Sequence, residues 1–379
     1  MKPALFHVTA SLVLLTAASN AHAQSYQFID LGSGAAAGIN NLGQVVGSSG
    51  LGATLWNGST AVGLAGGANG GATAINNAGQ IAGYISDSSG YSGAVLWSGG
   101  ALASLPGPGR SSIAAYGIND AGQVVGSYEG YTTGALQWNN GNGPIYLNTD
   151  GQSVVAYNIN SSGSAVGMSF DPASGSTRAT LWSNGSATLL PGINNVNNGI
   201  GATASDINNA GVVVGSSNTG PDAPNSYAVE WHGNSTTELG TLGGSYSSAN
   251  AINNRGQVVG WSDSASGAQF ATIWQGNTAV NLNSFLTPAE VQAGWVLTSA
   301  RDINDNGWIV GNASNTKTGA NDAFLLEVSP LPEPETVSML LAGAGLLCMA
   351  LRDRRQEIKY FLKQRGSTLA RKVRGLSPG

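Results

Sequence analysis

One motif recurs seven times and leaves the chain few ways to fold: Ile-Asn, two variable residues, Gly, a short apolar run and a closing Gly. The copies begin at Ile39, Ile75, Ile118, Ile159, Ile207, Ile252 and Ile303. Their first glycines are Gly43, Gly79, Gly122, Gly163, Gly211, Gly256 and Gly307. The closing glycines are Gly47, Gly83, Gly126, Gly167, Gly215, Gly260 and Gly311. Six steps from Ile39 to Ile303 give a mean spacing of 44 residues, within the roughly 40–50 residues typical of propeller-blade repeats. A unit this small cannot bury its own apolar face, so neighbours must shelter one another.

Each copy reads as a β-hairpin. In Ala251-Ile252-Asn253-Asn254-Arg255-Gly256-Gln257-Val258-Val259-Gly260 a strand enters, turns and leaves. The Asn side chain can bond nearby backbone, and the Gly four residues after Ile supplies the positive φ of a type I turn with a G1 bulge. A third strand ends in tryptophan in six repeats, at Trp56, Trp97, Trp138, Trp182, Trp231 and Trp274, while the seventh has Ala323-Phe324-Leu325-Leu326. A polar turn and a fourth strand follow, as in Gln275-Gly276-Asn277 and Ala279-Val280-Asn281-Leu282. Four short strands per repeat is the make-up of one blade.

The seventh repeat stops after its third strand, near Val328, and the missing strand stands at the other end. Tyr26-Gln27-Phe28-Ile29-Asp30-Leu31-Gly32 resembles the fourth-strand stretch Thr236-Thr237-Glu238-Leu239-Gly240. The expected fold over residues 24–329 is therefore all-β: a seven-bladed β-propeller of four-stranded blades, closed by the N-terminal strand so that no sheet edge stays open. A β-solenoid and a two-sheet sandwich are the alternatives.

Composition agrees with this class. Charged residues are 9% of the chain, against roughly 25% in an average soluble domain. Fifty-six glycines exclude an ordinary helical protein, and 41% hydrophobic residues exclude a disordered one. The one cysteine, Cys348, lies in an apolar segment near the C-terminal end, and His7 and His22 fall in the leader, leaving His232 as the one histidine of the exported part. No disulfide, thiolate metal site, histidine zinc cluster or Cys–His pair is available there, and no cofactor is expected.

The two ends carry targeting signals. Residues 1–23 read as a signal peptide, with Lys2, an apolar run from about Ala10 to Ala18, and the small residues Ala21 and Ala23 bracketing His22 as the cleavage site. Pro332-Glu333-Pro334 precedes an apolar stretch, Val337 to Leu351, and then Arg352-Asp353-Arg354-Arg355. As a single apolar helix those 15 residues span about 22 Å, short of the ~30 Å hydrocarbon core, so the arginines would snorkel. Residues 24–335 hold 18 acidic and 5 basic residues, whereas 352–379 hold 9 basic and 2 acidic. This asymmetry places the acidic part outside and residues 356–379 as a basic cytoplasmic tail, inserted at the inner membrane through the helix. Anionic lipid accounts for that tail (Lys359, Lys363, Arg365, Arg371, Lys372 and Arg374) better than nucleic acid does.

The order Pro332-Glu333-Pro334, apolar helix, Arg352, Arg354 and Arg355 resembles the PEP-CTERM sorting signal of Gram-negative bacteria, over residues 330–355. The resemblance implies an exosortase-type enzyme as partner, processing near the motif, and delivery to the cell surface or extracellular matrix. Leu239-Gly240-Thr241-Leu242-Gly243-Gly244 with the following Ile252-Asn253-Asn254-Arg255-Gly256-Gln257-Val258-Val259-Gly260 resembles the HAF repeat of bacterial extracellular proteins. That resemblance implies an extracellular repeat domain and brings no catalytic residues.

Chemistry-bearing motifs are few. The tryptophans hold a fixed place in the repeat, which favours packing between units over sugar stacking; aromatics outside that register, Tyr91, Tyr128, Tyr131, Trp261 and Trp295, are better ligand candidates. Asp302, Asn304 and Asn306 match the first half of a D-x-N-x-N-G calcium loop, but its twelfth position is Ala313 and the hairpin turn already accounts for them, so no metal is assigned. No phosphate-binding loop or nucleophile elbow occurs. The sequence points to a non-catalytic surface or matrix protein with a polysaccharide or surface-protein partner. The alternative is a polysaccharide hydrolase or lyase that brings carboxylates such as Asp206, Glu230 and Asp302 together in a channel.

Overall fold

The positive φ that the hairpin turn demands is present in every repeat. The first glycines lie at φ 74–83°, and each donates its N–H to the Asn carbonyl three residues back. The closing glycine answers a different need. A Cβ at Gly47, Gly83, Gly126, Gly167, Gly215, Gly260 or Gly311 would sit 1.9–2.2 Å from a backbone carbonyl oxygen of the paired strand. The approach is close because the first strand of each repeat carries a β-bulge opposite it. The ladder skips one residue there: Ala37, Thr73, Tyr116, Tyr157, Ser205, Asn250 and Arg301.

The computed structural model describes residues 25–329 apart from 110, 131–132, 140–141, 148–151, 173–174, 194–200 and 220–224, together with 352, 354–356, 358 and 359. All seven repeats lie in one unit, Tyr26–Val328, which is nearly all-β: three of its sheets have four antiparallel strands, and the others, of seven and eight strands, each join two repeats. The first repeat runs β1 (Ser25–Ile39), β2 (Gln44–Ser49), β3 (Gly52–Asn57) and β4 (Thr60–Gly63), paired in that order. The second repeats the order with Gly70–Ile75, Ile81–Ser86, Ser92–Ser98 and Ala101–Ser104. An insertion before the seventh holds a 3-10 turn, Leu282–Phe285, and α1 (Pro288–Ala293), whose N-cap Thr287 and Glu290 form a capping box.

At 15 residues, β1 is long enough to serve two repeats. Its Gly34–Ile39 end pairs with β2. The strand also lies beside Asn321–Ser329, the third strand of the seventh repeat, in a single order Trp295–Ile303, Ile309–Asn315, Asn321–Ser329, β1, β2, β3, β4. Two aromatic contacts reinforce this pairing: the Tyr26 ring lies 4.8 Å from Phe285, edge-on, and Phe28 lies 5.4 Å from Trp295. Burial pushes the Tyr26 phenol up to about 12.

The apolar core sits between repeats rather than within them. Each of its clusters draws on two consecutive repeats, as where Leu96 of the second meets Ile113, Leu136 and Trp138 of the third. One cluster joins Val310, Ala323 and Leu325 of the seventh to Leu31, Ile39, Val45 and Trp56 of the first. The tryptophans are the largest side chains in these contacts, and all six are 0–4% exposed. Five donate the indole N–H to a backbone carbonyl: Trp56 to Leu31 in the early part of β1, and the others to a carbonyl that precedes their own repeat, at Ala65, Pro106, Pro191 and Gly240, over 2.6–3.0 Å. Burying one such ring stabilises by about 4–6 kcal/mol, an upper bound from area. Leu326 holds the tryptophan register in the seventh repeat, opposite Ile309.

Among the described residues no helix is long and apolar enough to cross a membrane. The expected helix Val337–Leu351, the signal segment with Ala21 and Ala23, and the motif Pro332, Glu333 and Pro334 lie outside the described residues; Arg352, Arg354 and Arg355 are helical and exposed.

Because β1 joins strands of the seventh and first repeats in one sheet, removing Tyr26–Leu31 is expected to lower the melting temperature of the whole repeat unit, with loss of cooperativity. Thermal unfolding followed by circular dichroism checks this, and an unchanged transition would contradict the role assigned to the strand.

Candidate functional site

The asparagine after each Ile is 3–5% exposed and uses both ends of its amide. Its Oδ1 accepts from the N–H groups two and four residues on, at 2.9–3.1 Å in all seven repeats. Its Nδ2 donates to the backbone carbonyl of the same asparagine in the next repeat. The chain of bonds runs Asn40 to Asn76, Asn119, Asn160, Asn208, Asn253, Asn304 and back to Asn40, over 2.8–3.3 Å. No other side chain of this length offers an acceptor for the turn and a donor for the neighbour.

A second tier follows at the next position. The N–H of Asn41 donates to Asn77 Oδ1, Asn77 to Asp120, Ser161 to Asn209, Asn209 to Asn254, Asn254 to Asp305, and Asp305 to Asn41, at 2.8–2.9 Å. Among the described residues no such bond joins Asp120 to Ser161, where a short hydroxyl replaces the longer amide or carboxylate. Residues of both tiers line a polar cavity of ≈160 Å³.

Into the same cavity face Asn158, Asp206 and Asp302, each immediately before its Ile. Asp206 accepts from Ile207 N–H at 2.7 Å, from Ile252 N–H at 2.8 Å and from the Asn158 amide. Asp302 accepts from Ile303 N–H and Ile39 N–H, both at 2.8 Å. Each carboxylate thus clamps its own repeat to the following one. Burial raises the Asp206 pKa to about 6, against the opposing pull of its hydrogen bonds. Burial, reinforced by the Asp206 charge, raises Asp302 to about 7.

Of the carboxylates named from sequence, the structure brings Asp206 and Asp302 into electrostatic contact, while Glu230 pairs instead with His232 at 2.7 Å. Asn304 and Asn306 serve the turn and the neighbouring repeat: Asn304 Oδ1 accepts from Asn306 and Trp308 N–H, and Asn306 Nδ2 donates to the Asn41 carbonyl. Among the described residues no cluster of three or more His, Cys, Asp or Glu is placed to hold a metal. Of the aromatics outside the register, Trp295 packs on Phe28 and Tyr128 on Tyr146, Trp261 is half-buried, Tyr91 is exposed, and Tyr131 lies outside the described residues.

A different set, not singled out from sequence, forms a second and larger cavity of ≈400 Å³ one step along the same first strands. The bulge residues Ala37, Thr73, Tyr157, Ser205, Asn250 and Arg301 line it, with Ser48, Tyr84 and Thr203 beside them. The seventh bulge residue, Tyr116, holds its ring 5.9 Å from that of Tyr157. Burial, with Tyr116 adding to it, pushes the Tyr157 phenol up. The signal that finds this set is the position two residues before Ile, which varies although the residue before it is alanine in every repeat.

Comparison with known proteins places the chain in a broad class first. Residues 330–355 match the PEP-CTERM protein-sorting motif, so this is an exported protein of the exosortase-sorted class, anchored at its C-terminal end. More particularly, residues 153–328 match a family described as a protein of unknown function (DUF3466). No curated protein matches the sequence. Among solved structures the chain is similar to TolB from Acinetobacter baumannii, with 10% identity and a TM-score of 0.39 over 80% of this chain and 62% of that one. It is similar also to a puromycin-hydrolyzing peptidase from Mycobacterium tuberculosis, with 14% identity and a TM-score of 0.44 over 77% and 50%. A third is YCF48 bound to D1 peptide, with 14% identity and a TM-score of 0.47 over 81% and 97%. The chain spans less than two thirds of the first two.

The raised carboxylates set a pH dependence. In the unfolded chain Asp releases its proton near pH 4; folded, Asp206 and Asp302 hold theirs to about 6 and about 7. Between those values the folded state binds more protons, so stability falls as pH rises. The melting temperature is expected to drop between pH 4.5 and 7.5, and the paired change Asp206→Asn with Asp302→Asn is expected to flatten that slope even where it lowers stability throughout. An equal slope in wild type and variant would overturn the assignment.

Proposed function

We propose that this chain is a non-catalytic binding protein of the cell surface or extracellular matrix, with exopolysaccharide as its partner. Its repeats form a closed seven-bladed propeller of the HAF type. Three features support the ring: β1 lies beside the last strand, the asparagine bonds return from Asn304 to Asn40, and the seventh and first repeats share a core cluster.

The observation that carries the binding reading is the second cavity. A bulge in each repeat takes one side chain out of the ladder and re-aims it; the seven residues so placed differ although each follows an alanine, and six of them line this one cavity. The non-catalytic reading rests on the carboxylates. Both oxygens of Asp206 and of Asp302 are engaged by backbone N–H groups of two repeats, and Glu230 is paired with His232.

A glycan array probed with the purified protein, read for binding and for released product, tests this: binding without product is expected, and product release would favour the hydrolase or lyase. The sorting reading has its own test. Deleting Pro332–Arg355 is expected to shift the protein from the membrane and surface fractions to the periplasm or medium; unaltered surface display would contradict it.

A further inference from the structure

We propose that the ≈400 Å³ cavity at the bulges is a binding site for an acidic saccharide, with Arg301 taking the sugar carboxylate. This rests on the binding reading above and adds the ligand class and the residue that selects it.

Arg301 is one of five basic residues between 24 and 335, in a stretch with 18 acidic ones. In such a chain an arginine has many carboxylates to pair with, as Arg178 does with Asp171 at 3.8 Å. Arg301 makes no ion pair among the described residues. Its neighbour in sequence, Asp302, turns its carboxylate away to the N–H groups of Ile303 and Ile39. No carboxylate lines the cavity that Arg301 enters. An exposed guanidinium facing a carboxylate-free cavity is a ready partner for an incoming anion, which its planar fork can hold through two hydrogen bonds.

The rest of the lining specifies what the anion is attached to. The hydroxyls of Ser48, Tyr84, Tyr157, Thr203 and Ser205 face the cavity and make no hydrogen bond within the protein among the described residues. Thr73, also in the lining, is engaged, its one O–H shared between the Ala82 and Ala115 carbonyls, and away from the cavity Ser169 bonds Thr180 at 3.0 Å. Five uncommitted hydroxyls and two tyrosine rings suit a ligand that carries many hydroxyls and presents flat C–H faces. A sugar bearing a carboxylate combines both requirements, and the cavity lies within the ≈300–1,000 Å³ of ordinary ligand pockets.

The purified protein is titrated calorimetrically with a glucuronic acid trisaccharide, the matching glucose trisaccharide, inorganic phosphate, acetate and a poly-glutamate peptide. The acidic trisaccharide is expected to bind best, more weakly as salt rises. Arg301→Gln is expected to weaken it about tenfold or more, with Arg301→Lys retaining part of the loss. Arg301 is exposed, so the melting temperature of both variants should match wild type. If the neutral trisaccharide binds equally well, or if Arg301→Gln changes nothing, this inference falls while the polysaccharide-binding reading stands. Phosphate or acetate binding as tightly as the trisaccharide, or the peptide binding in preference, also overturns it. Failure of the wild type to bind any saccharide overturns both.

Discussion

A single side-chain amide, repeated seven times, sets the geometry from which the rest follows. Its oxygen fixes the hairpin turn of one repeat while its nitrogen grips the backbone of the next, so local and long-range order are specified by the same atom group. The residue is buried in every copy, where an unsatisfied backbone donor or acceptor costs about 1–3 kcal/mol. An aspartate would lose the donor and bring a buried charge; a serine would be too short to reach the neighbour. The first glycine lets the turn form around the amide, and the closing glycine lets the second strand lie close enough for the bulge. The tryptophans then fill the wedge between sheets that the amides have already brought to a fixed distance.

Much of this was legible from the spacing of residues. The hairpin, the third-strand tryptophan and the strand exchange between the two ends could be read because each reflects a local rule: a turn that needs positive φ, an alternation of apolar residues, and a repeat lacking one strand. The direction of the asparagine's second hydrogen bond could not be read. It depends on how neighbouring repeats are set against one another, and no local pattern encodes that. Asp206 and Asp302 illustrate the same limit. The sequence allowed them to meet, and they do interact, but only the fold reveals that their oxygens are already taken by backbone N–H groups.

The bulge residues were missed for a related reason. A strand with one extra residue looks like a strand of ordinary length when pairing is unknown, and Ala37, Tyr116 and Arg301 share no chemistry that would group them. The register groups them, because each is the residue the ladder passes over.

That arrangement has a consequence for how such a chain can change over time. A residue within the ladder is hemmed in by partners on both sides, so altering it taxes the fold. A residue passed over by the ladder has no cross-strand backbone partner, and its side chain is tied to the next repeat only at some copies, as where Thr73 bonds the Ala115 carbonyl and Asn250 the Ala300 carbonyl. Where no such tie exists, as at Ala37, Ser205 and Arg301, the side chain at this register is free to differ between repeats while the amides and glycines stay the same.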